Sequence, residues 1–85
     1  RCRFLIEGHS DARVAPAGSP GKWERAARRA VAIRLALASA GIDDDRVEEL
    51  AAFADTRLAL PSDPLNPGNR RVTIVIPYDE PSPRP

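Results

Sequence analysis

The chain has no methionine, one cysteine, one histidine and few aromatic residues: one Trp, one Tyr and two Phe among 85 residues. A single cysteine, Cys2, excludes an internal disulfide and lacks the histidine context of a thiol nucleophile. His9 stands alone, without a second His or a paired Cys, which argues against a metal site. So few aromatics leave the core to Ala, Leu, Val and Ile, and a core of that kind is marginal in one small domain. No apolar run approaches the roughly 20 residues that cross a bilayer. The net charge of +1 lacks the excess expected of an electrostatically driven nucleic-acid binder. A start at Arg1 with no Met reads as a processed form or a piece of a larger chain, with any targeting or membrane segment upstream.

What is present is patterned. Arg3-Phe-Leu-Ile-Glu7 reads as a short strand stopped by Gly8. Residues 8–21, with two Pro and three Gly, read as a loop. A helix then begins near Ser19 or Pro20, or at Lys22 if Gly21 weakens that start, runs through Ala40 and ends at Gly41. Ala26, Ala30, Ile33, Leu37 and Ala40 form its apolar stripe, widened by Trp23 and Ala27. A tryptophan at a helix start is more often a core anchor than a stacking platform. Glu24, Arg25 and Arg28 fall on the other side, Arg29 lies on the border, and Arg34 must snorkel or pair.

Asp43-Asp44-Asp45 is an acidic connector. The segment 46–54 is ambiguous, its local pattern slightly favouring a short helix over a strand. Residues 55–70 read as a loop. Arg71-Val-Thr-Ile-Val-Ile76 is the best strand, with Val72, Ile74 and Ile76 on one face. The four prolines from Pro77 to Pro85 suit an extended tail. The chain thus divides into one domain, residues 1–77, and a proline-rich tail, 78–85.

Taken in order, Gly8-His9-Ser10-Asp11, then Trp23-Glu24, then Arg29-Ala30, then Asp55-Thr56-Arg57, then Asn69-Arg70-Arg71 before a strand, the chain resembles the OmpA-like peptidoglycan-binding domain. Within that family it is most similar to the C-terminal domain of the flagellar motor stator B subunit (MotB-type). The resemblance spans residues 4–76. It implies an α+β fold: a mixed sheet with a helix packed on one face, in strand-helix-strand-strand order, with segment 46–54 as a strand. The family's first strand and first helix have no counterpart here, which would leave part of the sheet face and one strand edge exposed. Lys22 replaces the usual Asn, and Arg25-Ala26 replaces the usual Leu-Ser.

The resemblance implies a non-enzymatic module without cofactors. It would bind peptidoglycan noncovalently in the periplasm, through the diaminopimelate of the stem peptide, and anchor a larger envelope or flagellar protein. Any membrane attachment would lie outside this chain. Asp11 would take the ligand ammonium and Arg29 its carboxylate, since a guanidinium can grip a carboxylate bidentately. Arg70 or Arg71 would line the far wall. The plainer alternatives are a turn-forming Asp11, a solvated Arg29, and an incomplete structural module without ligand affinity that acts by self-association, as a homodimer, or by partner pairing.

Overall fold

The computed structural model describes residues 3–76. Cys2 and the proline-rich segment after Pro77 lie outside them. The elements are β1 (Phe4–Gly8), α1 (Lys22–Ser39), a 3-10 turn (Asp44–Arg46), β2 (Val47–Ala52), a second 3-10 turn (Pro67–Asn69) and β3 (Val72–Val75). The sheet order is β2-β1-β3, with β2 parallel and β3 antiparallel to the central β1. This is a small α+β domain with one helix and a three-stranded mixed sheet.

The segment 47–52 is a strand, against its own helical propensity. Val-Glu-Glu-Leu-Ala-Ala gains its geometry from pairing with β1, which aligns Ile6 with Leu50 and Gly8 with Ala52. Propensity differences of a few tenths of a kcal/mol per residue yield to such pairing. The helix starts at Lys22, with Gly21 as an N-cap that has no side chain to offer. Ser19 and Pro20 precede it, and the Pro20 carbonyl instead accepts a bond from Arg25 Nη1 (2.9 Å). At the other end Gly41, at φ +97°, takes the left-handed position for which glycine is suited. Arg34 pairs with Asp44 (2.9 Å).

The helix meets the sheet at its smallest residues. Ala26 and Ala30 are fully buried, and a Cβ added to Gly8 would sit 1.9 Å from the Ala26 carbonyl oxygen. Gly8 therefore marks the helix-covered face, which it shares with Ile6 two residues earlier. Across the sheet, Leu50 and Ile74 are aligned with Ile6 and belong to that face too.

The helix leaves the β3 margin bare. Ile74 is 43% exposed although it lies on the helix side, and Ile76 is 58% exposed. Among the described residues β3 pairs only with β1, so its outer edge carries unpaired backbone groups. Trp23 is not a core anchor. It is 52% exposed, whereas Ala26 and Ala30 on the same stripe are fully buried.

Four of the nine buried residues among those described are polar. Beside Ile6, Ala26, Ala30 and Ala54 stand His9, Ser10, Asp11 and Asn69. Buried polar groups need partners: at the end of β1, Ser10 Oγ donates to the Asp11 carbonyl and Asp11 Oδ1 accepts from Arg13 N, while neither ring nitrogen of His9 has a hydrogen-bond partner among the described residues. Asn69 is bonded at both ends of its amide: Oδ1 accepts from Leu60 N (2.8 Å), and Nδ2 donates to the Asp63 (3.0 Å) and Pro64 (3.3 Å) carbonyls.

Candidate functional site

The turn 8–11 leaves the end of the central strand and is held from three sides by backbone bonds. His9 N donates to Arg71 O (2.9 Å), Ser10 N to Ala54 O (2.8 Å) and Ala12 N to Pro64 O (2.9 Å). Ala54 adopts φ +51°, a left-handed conformation in a non-glycine residue. Such strain costs about 1 kcal/mol, and here it sets the carbonyl that supports Ser10. Loops from both edge strands thus fix where Asp11 sits.

Asp11 is 2% exposed. Its Oδ1 accepts from Arg13 N (3.1 Å), the short bond of an Asx turn. Two guanidiniums flank the same carboxylate: Arg70 Nε is 3.4 Å from Oδ2, and Arg25 Nη2 is 3.8 Å from Oδ1. The turn role and a charged site therefore coexist in one side chain. A carboxylate has about four lone-pair positions, and only one is taken by a short hydrogen bond.

Arg29 reaches the turn from the helix border, and its Nη1 donates to the His9 carbonyl (2.7 Å). Its pKa is lowered from the ordinary arginine value, first by burial and then by the Arg70 charge; Asp11 acts the other way, and Arg25 and Arg13 add to the lowering. The guanidinium remains charged at any ordinary pH.

Asp11, Arg29 and Arg70 are therefore brought together. Arg71 is not part of this cluster. Its Nη2 donates to the Arg57 carbonyl (2.9 Å), and its charge acts on the His9 ring. Successive residues entering a strand point to opposite faces, so Arg70 and Arg71 cannot both line one wall. Arg28, on the far side of the helix, is exposed.

Arg25 is the residue that sequence reasoning missed. It falls outside the apolar stripe, yet its side chain is only 14% exposed. Besides facing Asp11, it ties the loop to the helix through Pro20 O and through Arg13 O (2.9 Å), while its Nε is buried without a partner. The available signal was the spacing of four from Arg29, which sets both on one side of the helix.

His9 occupies the opposite face of the sheet. It is 1% exposed and stacked on Phe53 (centroids 5.5 Å apart), whose other contact is the Arg57 guanidinium 3.9 Å from its ring centre. Burial pushes the imidazole pKa below 6.5, Arg71 and Arg57 add to this, and Glu7, 3.4 Å from Nε2, offsets part of it. The folded state thus holds His9 neutral while the unfolded chain protonates near pH 6.5, so the unfolded state gains protons first on acidification. Stability should decline progressively as pH falls from 6.5 toward about 5, above the usual glutamate range. Urea unfolding across that window checks this, and His9→Leu should flatten the slope.

Among the described residues no group of three or more His, Cys, Asp or Glu side chains is placed to hold a metal ion, and no helix is long and apolar enough to cross a membrane.

No family model matches the chain. Over 74 residues, 87% of its length, it is 32% identical to an Escherichia coli K12 protein named, provisionally, as a truncated flagellar export/assembly protein LafU. It is equally similar over the same length to a flagellar export/assembly protein LafU, likewise named provisionally, of E. coli O44:H18 strain 042. The chain spans 35% and 24% of these relatives, so they contain much that it does not.

Proposed function

We propose that the chain is a noncovalent peptidoglycan-binding module of the OmpA-like, MotB-type class, acting in the periplasm to anchor a larger flagellar protein to the cell wall. The observation that carries this reading is a deeply buried Asp11 at the end of the central strand, with Arg29 and Arg70 beside it. The tip of a diaminopimelate side chain bears an ammonium and a carboxylate on one carbon. Asp11 has acceptor capacity left for the first, and Arg29 has donors left beyond its bond to His9 for the second. Arg70 closes the far wall. The module binds and does not catalyse. The flagellar association rests on the names of the relatives, which speak of export and assembly.

Cosedimentation with insoluble peptidoglycan tests the reading. The chain should pellet. Asp11→Ala and Arg29→Ala should each weaken binding by at least tenfold, the loss expected when one member of a partly desolvated charged contact goes, about 2 kcal/mol or more. Arg28→Ala should bind as the parent does. A chain that stays in the supernatant ends the proposal.

The exposed Ile74 and Ile76 beside the unpaired β3 edge favour a second reading, a module that works by self-association. Sedimentation velocity would then show dimers or larger species that Ile74→Lys disperses, and a monomer at every concentration would exclude it.

A further inference from the structure

The charges around Asp11 do not balance, and the imbalance speaks to what the site accepts. Two guanidiniums, Arg70 at 3.4 Å and Arg25 at 3.8 Å, flank the one Asp11 carboxylate, and a third, Arg29, reaches the same turn through the His9 carbonyl. A lone carbon bearing one ammonium and one carboxylate is neutral and would leave that excess standing. A ligand with a further carboxylate would offset it.

Arg25 contributes a fixed share of the excess. Bonds to the Pro20 and Arg13 carbonyls at 2.9 Å hold both terminal nitrogens, so the guanidinium cannot swing out to solvent. It stands 3.8 Å from Asp11 Oδ1, mostly shielded from water, with a buried Nε that no protein acceptor satisfies. Screening by solvent is weakest where a charge is shielded in this way. Where the related family carries an uncharged leucine, this chain carries a charge held in place.

We propose that the site prefers ligands of net negative charge, with two free carboxylates for the one ammonium it receives, and that Arg25 sets this preference. The proposal rests on the peptidoglycan reading for the identity of the ligand, though not for the sign of the selectivity. In wall chemistry it means a stem peptide ending in diaminopimelate with both carboxyl groups free, in preference to one in which the carboxyl remote from the bound ammonium is amidated. Arg25 acts here as a specificity determinant through its charge, while Arg29 makes the direct contact.

Calorimetric titration of the whole chain decides it, with three probes: a stem tripeptide ending in diaminopimelate with both carboxylates free, the same tripeptide amidated at the remote carboxyl, and citrate. The free form should bind roughly tenfold tighter than the amide, a difference typical of one charge-assisted contact. The ratio should shrink as salt rises. Arg25→Leu should bring the two affinities together, and Arg25→Lys should keep them apart.

Equal binding of the two tripeptides by the parent chain overturns the proposal, as does a ratio that ignores salt. An equal loss for both in Arg25→Leu also overturns it. If Arg25→Leu fails to fold, the Lys variant and the salt series decide by the same criteria. If neither tripeptide binds but citrate does, with a loss in Arg25→Leu, the charge preference stands and the peptidoglycan reading falls. If citrate fails as well, both fall.

Discussion

Gly8→Ala should unfold the domain or come close to it. The added methyl would lie 1.9 Å from the Ala26 carbonyl oxygen, 2.9 Å from its carbon and 3.2 Å from Ala30 Cβ. The first two are backbone atoms inside α1, so no rotamer change relieves them, and the helix has to shift. Overpacking of a core ordinarily costs about 1–3 kcal/mol. Here the contact is with backbone at the one place where helix and sheet are closest, so about 3 kcal/mol or more is expected. In a domain of this size each kcal/mol moves the melting midpoint by about 4–8 °C. Gly21→Ala is the control. Its new methyl would meet only the far end of the Glu24 side chain, which can turn away. Thermal unfolding of both variants checks the contrast, and a Gly8→Ala protein within a few degrees of the parent would show that the helix does not seat on β1 in this way. Because β1 also carries the turn that ends in Asp11, the same substitution should abolish any ligand binding.

The elements that were legible are those whose signal is local. The β-branched run before Pro77 announces β3, although the face that Val72, Ile74 and Ile76 share stays largely uncovered at Ile74 and Ile76. The alanine and leucine stripe and Gly41 announce the helix and its end. What was not legible depends on neighbours distant in sequence. Val47–Ala52 carries a weak, ambiguous local signal; the resemblance marks it as a strand, and parallel pairing with β1 makes it one. Trp23 reads as a core residue, yet it is half exposed while the contact of helix with β1 at Gly8 is made by Ala26 and Ala30.

At the site the limits are finer. The order of motifs singles out Asp11 and Arg29 as candidates, whereas the placement of Arg70 beside Asp11 and of Arg71 away from it turns on a parity of one residue that sequence order does not give. Arg25 went unnoticed for a related reason. A charge outside the apolar stripe reads as a solvated residue, yet the side chain is mostly buried and bonds the loop through two backbone carbonyls.

Asp11→Asn should destabilise the fold through repulsion, and in a way that identifies the cause. The amide is nearly isosteric, and its oxygen can still accept from Arg13 N, so the Asx turn survives. What is lost is the negative charge that faces Arg70 and Arg25 and acts on Arg29. Removing one partner of a buried ion pair costs about 3–5 kcal/mol. The contacts here are long, at 3.4 and 3.8 Å, and Arg70 is a third exposed, so solvent takes up part of the effect. About 2 kcal/mol is the expected loss. Two features separate repulsion from a lost hydrogen bond. Added salt should recover much of the deficit, since mutual repulsion of like charges is screened. A second substitution, Arg25→Leu, should also recover part of it, although in the parent chain the same change removes two bonds to backbone carbonyls and should be destabilising. Urea unfolding of the two single variants and the double variant, at low and high salt, measures that coupling. Additive losses that salt does not touch would mean that Asp11 serves only its turn, and that the arginines around it are not held together by its charge.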